Sequence, residues 1–207
     1  MSNCSNCKKD IKDESVYCNQ CGTKIKTSLL DNHVSFIMDL GGGLKIPTNP
    51  ITFEHCYQIG ANAYHAGEFY ESIEYFKEAI TFNNPPLDKL SNCYNELGIS
   101  YLRLNQNTTA VNYLRLAISA NPESITPHEN IVSALCGCDI DKAIEEFKKL
   151  VIKFPDFNKQ LWRSLGISCE NEKRYVEAKM FYENAILNGI NDAETDLQDV
   201  IRKMNRS

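Results

Sequence analysis

Three stretches of this chain can be laid over one another: CYQIGANAYHAGEFYESIEYFKEAITFNNP from Cys56, YNELGISYLRLNQNTTAVNYLRLAISANP from Tyr94, and WRSLGISCENEKRYVEAKMFYENAILNG from Trp162. Self-similarity at a period near 34 residues constrains the fold more than any other feature. Such a unit is one helix-turn-helix that cannot bury its apolar face alone, so neighbouring units must stack. Each unit carries a large apolar residue and glycine in its first helix (Ile59-Gly60, Leu97-Gly98, Leu165-Gly166), then a small residue in its second (Ser72, Ala110, Ala178). An aromatic or leucine follows (Phe76, Leu114, Tyr182), then another alanine (Ala79, Ala117, Ala185). Small residues belong where two helices cross closely, and the large ones fill the gaps beside them.

The pattern resembles the tetratricopeptide repeat family, and Trp162-x-x-Leu165-Gly166 follows its signature most fully. A further unit, PHENIVSALCGCDIDKAIEEFKKLVIKFPDF, keeps Ala143, Phe147 and the closing Pro155. It departs at Ile131, which replaces glycine, at Leu150, which replaces alanine, and at Cys136-Gly137-Cys138, which shortens its first helix. A wider helix crossing is expected there. The expected fold is therefore all-α: four repeats over residues 53–190, closed by a capping helix over 191–207 in which Leu197, Val200, Ile201 and Met204 recur at helical spacing. Asn191 and Glu194 suit the start of that helix. Thr126-Pro127-His128-Glu129 reads as an N-cap, a proline at the first helical position and a capping-box glutamate. Between the first two repeats, PPLD adds about one helical turn.

The first 26 residues are of another kind. Cys4-x-x-Cys7 and Cys18-x-x-Cys21 stand ten residues apart and supply four thiolates to one tetrahedral Zn²⁺ at about 2.3 Å. Gly22 after the second pair suits a turn at positive φ; after the first pair the same place holds Lys8. The stretch resembles the short zinc ribbons that open many prokaryotic multidomain proteins, in which the metal is structural. Four thiolates close the coordination sphere and leave no position for substrate. A thioredoxin-like redox reading needs a helix N-terminus and a strand-helix unit, and neither is evident. Residues 27–52 form a linker expected to dock on the first repeat. In it Val34, Phe36, Met38 and Leu40 alternate as in a strand while Leu30, Val34 and Ile37 also fit a helix. Gly41-Gly42-Gly43 lacks the Lys-Ser/Thr of a phosphate loop and reads as a joint.

Charge limits the partners. Through Thr27 five lysines face Asp10, Asp13 and Glu14, a net +2, which leaves −7 of the formal −5 to the remainder. The lysines offset the −2 of a four-thiolate zinc site, and the bulk of the chain is a poor electrostatic match for nucleic acid. Nucleic-acid binding through the ribbon is the alternative function and is expected to be weak. With no signal peptide, no membrane span and nine cysteines, the expected location is the cytoplasm.

Cys56, Cys93, Cys136 and Cys169 lie in first helices, where packing is their default use, and no histidine joins a nucleophile or metal motif. A non-enzymatic adaptor without a small-molecule substrate is expected. In the resembling family the inner face of the first helices contacts a partner protein or peptide. Carried over, those positions are Tyr57, Ala61, Tyr64 and His65; Asn95, Ile99, Leu102 and Arg103; His128 and Val132; and Arg163 and Ile167. The lysine and asparagine that grip chaperone tails in that family are here Tyr57 and Ala61, so an apolar or aromatic segment with one acidic group is the expected ligand. A competing reading has the tyrosines packing against the linker.

Overall fold

The computed structural model describes residues 2, 3, 8, 10, 11, 52–82 and 85–206. The four expected zinc ligands and nearly all of the linker lie outside them. The chain divides into two compact units, Met1–Pro86 and Leu87–Ser207, and the boundary falls within the PPLD insertion.

In the first unit β1 (Ser2–Asn3) pairs antiparallel with β2 (Asp10–Ile11), in the register Ser2↔Ile11 and Asn3↔Asp10. Lys8, between them, has φ 62°. The first helix pair follows. Helix α1 (Phe53–His65) is started by Thr52, whose side chain accepts from the backbone N–H of His55 at 3.2 Å. It packs on α2 (Phe69–Ala79). The crossing is formed as the sequence pattern implies, with Gly60 against the fully buried Phe76.

The second unit is a stack. Helices α3 (Leu87–Arg103) and α4 (Asn107–Ala120) form its first pair, α5 (Ile125–Cys136) and α6 (Ile140–Lys153) the next, and α7 (Gln160–Asn171) and α8 (Tyr175–Leu187) the last, with α9 (Ala193–Met204) at the end. Each first helix also touches the first helix of the next repeat: α3 meets α5, α5 meets α7 and α7 meets α9. The small and large positions of every repeat, Ala110, Leu114, Ala117, Ala143, Phe147, Leu150, Ala178, Tyr182 and Ala185, are buried in the core. Glycine is required at two crossings: a Cβ on Gly98 or Gly166 would stand 2.6 Å from Leu114 or Tyr182.

The turns inside the repeats explain why the third differs. Gly67, Asn105 and Lys173 occupy the same place after their first helices and all have positive φ, at 78°, 57° and 60°. In each, the next N–H reaches back five residues: Glu68 to Ala63 O, Gln106 to Tyr101 O, Arg174 to Cys169 O. In the third repeat the reach is four, from Asp139 N–H to Leu135 O at 2.7 Å, and no residue of that turn has positive φ. Cys136-Gly137-Cys138 thus makes a tighter turn, and Ile131 is buried where glycine stands elsewhere.

Two helix starts differ from expectation. Helix α5 begins at Ile125 after Ser124, which makes no side-chain cap bond. Thr126 and Pro127 therefore lie inside its first turn, where proline is tolerated because its missing N–H has no partner there. Glu129 leaves its own helix end and accepts from the Asn158 N–H at 2.6 Å. At α9 the N-cap is Asp192, without a side-chain bond, rather than Asn191.

Candidate functional site

The expected inner-face residues fall into three kinds. Some are consumed by the fold. Tyr57 is half-buried, stacked on Phe53 with ring centroids 6.0 Å apart and tilted on Phe76 at 5.5 Å. Asn95 is buried and accepts from the Asn130 side chain of the next repeat at 2.9 Å. Val132 is fully buried and is not available to a partner; it belongs to the core cluster of the second unit. A second kind is partly engaged. Tyr64 tilts on Phe69 at 5.6 Å and meets the edge of the exposed His65. His128 is half-buried against Phe154, its Nε2 lies 3.3 Å from Pro122 O, and burial lowers its pKa. Arg163 donates through Nε to Asp196 of α9 at 2.6 Å, which raises its pKa. Leu102 packs partly against the core. The third kind stays accessible: Ala61 and Ile99 are half-exposed, Arg103 is exposed, and Ile167 is exposed at 38%.

Polar side chains join successive repeats at the repeat period. Asn130 to Asn95 spans 35 residues, while Arg163 to Asp196, Lys203 to Glu170 and Arg174 to Asp141 each span 33. Two of these fasten α9, and so α9 takes the place that the first helix of another repeat would take. The fastening also satisfies a buried hydroxyl. Tyr182 fills the large-residue position of the last repeat, and its O–H donates to Glu170 at 2.7 Å, which in turn accepts from Lys203 at 2.5 Å. Burial works against the charge of Glu170, but the bonds from Lys203 and Tyr182 outweigh it and its pKa is lowered. Asp199 stands 33 residues beyond Gly166. A charged side chain thus stands where three of the four repeats carry glycine.

An apolar groove of about 520 Å³ opens elsewhere, between the second helices α6 and α8. Trp162 and Phe147 meet edge to face at 4.6 Å beneath it, with Phe181 6.0 Å from Trp162. Ile144, Val151 and Ile152 line one wall and Met180 the other, with Lys148, Glu177 and Asn184 among the lining side chains. Its volume is within the usual range for a binding pocket, about 300–1,000 Å³. The inner-face reasoning missed this groove. Its trace in the sequence is Ile152 and Met180, apolar residues at positions that no helix crossing uses.

The thiols of Cys136, Cys138 and Cys169 and the carboxyl of Glu71 are shifted toward their protonated forms. Burial pushes the thiols of Cys136 and Cys169 up to about 11, so both stay protonated at neutral pH. The exposed Cys138 is also raised, and its thiol donates to Ala134 O at 3.5 Å. In the first helix pair Glu71 is buried, and burial first, then the charge and hydrogen bond of Glu68, push it up to about 7. Among the described residues no group of three histidines, cysteines or carboxylates is placed to hold a metal.

With helix pairs, glycine crossings and repeat-period contacts in view, the comparisons agree. A tetratricopeptide repeat profile matches residues 91–124. The fold is that of the tetratricopeptide repeat. Among solved structures it is similar to MamA, with a TM-score of 0.57 and 20% identity over 69% of this chain and 81% of that one. It is also similar to YrrB, described as a tetratricopeptide protein with an unusual peptide-binding site, with a TM-score of 0.56 and 17% identity over 74% of each chain. No curated protein sequence matches the chain.

Proposed function

We propose that the chain is a non-enzymatic cytoplasmic adaptor whose tetratricopeptide repeats hold a segment of a partner protein on the inner face of the first helices. The observation that carries this reading is the apolar surface left on that face: Ile99 on α3 is half-exposed and Ile167 on α7 exposed, beside the exposed Arg103, while Asn95 and Arg163 tie repeats together. Rigid framing side chains beside accessible aliphatic ones suit an apolar segment with an acidic group for Arg103. The similarity to YrrB supports the fold on which such binding is built.

The N-terminal stretch is a structural zinc ribbon in this proposal. Cys4, Cys7, Cys18 and Cys21 hold one Zn²⁺, whose role is to fold about 25 residues that lack a core of their own. Two features of the described residues support it. β1 and β2, which flank the first Cys-x-x-Cys in sequence, pair antiparallel, and Lys8, directly after it in sequence, adopts a left-handed φ. Partner capture with the zinc-loaded full chain and with an Ile99→Asp/Ile167→Asp variant of unchanged melting temperature tests the inner face. Loss of the captured protein in the variant is expected; equal capture by both chains refutes the assignment.

A further inference from the structure

The outer side of the last two repeats has an apolar ridge beside an apolar groove. Val176, Met180 and Leu187 recur at i, i+4 and i+11 and therefore share one face of α8; they are 72%, 47% and 82% exposed. The α6–α8 groove runs along the flank of that ridge, and Ile152 on its far wall is 83% exposed. Soluble monomers rarely leave such adjoining apolar features open.

We propose that this face is a self-association surface, on which α8 of a second copy seats its ridge in the groove while its own groove receives the first. A ridge directly beside a complementary groove on one surface is what a two-fold, isologous contact needs: one rotation satisfies both halves at once. The charges point to the same occupant. Lys148, at the groove, makes no direct ion pair among the described residues and acts on Glu177 only at longer range. The neighbouring Lys149 is held by Glu145 and Glu146. Glu183, on the same face of α8 as the ridge, has only a loose partner in Lys179, at 3.8 Å. Seating the ridge carries Glu183 of one copy toward Lys148 of the other, and the two-fold makes the pair twice. A foreign partner of one dominant charge would leave one of these two groups repelled. The surface uses second helices and is independent of the inner face proposed above.

The zinc-loaded full chain, followed by sedimentation velocity across the micromolar range, should show a monomer–dimer equilibrium. Met180→Glu should weaken the dimer about tenfold or more, since a charge enters its apolar centre. Lys148→Glu should weaken it about fivefold, and Lys148→Glu with Glu183→Lys should restore it, because exposed pairs of this kind are small individually and occur twice. All three positions are solvent-facing, so unchanged helix content and melting temperature are expected throughout. A chain that stays monomeric at the highest concentration overturns the proposal. So does a dimer that Met180→Glu leaves intact, or a charge swap that fails to restore binding.

Discussion

Glycine at a helix crossing is a packing requirement before it is a sequence signature. At Gly98 an added methyl would meet Leu114 at 2.6 Å, whereas at Gly60 it would meet Phe76 at 3.1 Å. Gly98→Ala should therefore destabilise the second unit by about 1–3 kcal/mol through forced displacement. Gly60→Ala should cost the first pair less, because alanine's better helix propensity offsets a milder clash by about 1 kcal/mol. Denaturant melts of both variants check the order. A second expectation concerns Glu71, whose folded pKa is about 7 against an ordinary 4.5. Between these values the folded chain holds a proton that the unfolded chain has released, so stability falls as pH rises through that window. His128 has the opposite sign: its folded pKa lies below 6.5, so the unfolded chain protonates first and stability falls as pH drops through that value. Amide exchange in α2 and α5 as a function of pH should show the two trends, and Glu71→Gln should remove only the first.

At the scale of elements, α9 packs on the last repeat with the contacts that a first helix makes. Its buried Ala193 and Val200 cover the last repeat, and Arg163–Asp196 and Lys203–Glu170 set its register. Glu170→Ala should cost about 1–3 kcal/mol, because it leaves the buried Tyr182 hydroxyl without an acceptor. Tyr182→Phe on the same background should recover most of the loss, and a double-mutant cycle by thermal melts measures it. The third repeat teaches the converse lesson. Its missing glycine was visible in the sequence as a departure at Ile131, but the consequence appears in the turn, where a reach of four residues replaces five. Helix starts were the least legible local feature: the proline and capping-box glutamate of 126–129 pointed two residues too far along, because Glu129 serves the Asn158 amide of the following repeat.

For the whole molecule, the two modules should respond separately to metal. Metal analysis should find one zinc per chain, and Cys4→Ser should abolish it. Chelation should leave the far-ultraviolet helical signal nearly unchanged, because the helix pairs are held by their own buried residues. Nucleic-acid binding should be weak and salt-sensitive, with a slope of about −3 if three or four phosphates are neutralised, since the five lysines before Thr27 are balanced by −7 elsewhere. Filter binding at two salt concentrations decides it.

The sequence by itself determined the repeat. Period, crossing glycines and the alternation of small and large side chains are local statements about which residues can share a helix interface, and they hold in any context that lets the helices pair. It determined equally that Cys56, Cys93 and Cys169 would be core residues, because a first-helix position on the apolar stripe is buried once a neighbour stacks; Cys136, expected with them, is only half-buried at the tighter turn of the third repeat. What only the tertiary structure decided is which residues on the remaining surface are still open. Asn95 and Arg163 were expected to meet a partner, yet one is spent on Asn130 and the other on Asp196, and Val132 is sealed in the core. Those outcomes depend on side chains about a full repeat away in sequence, and the α6–α8 groove depends on two helices from different repeats. Periodicity within one helix carries no information about either, because the competition for each side chain is settled only when the repeats are brought together.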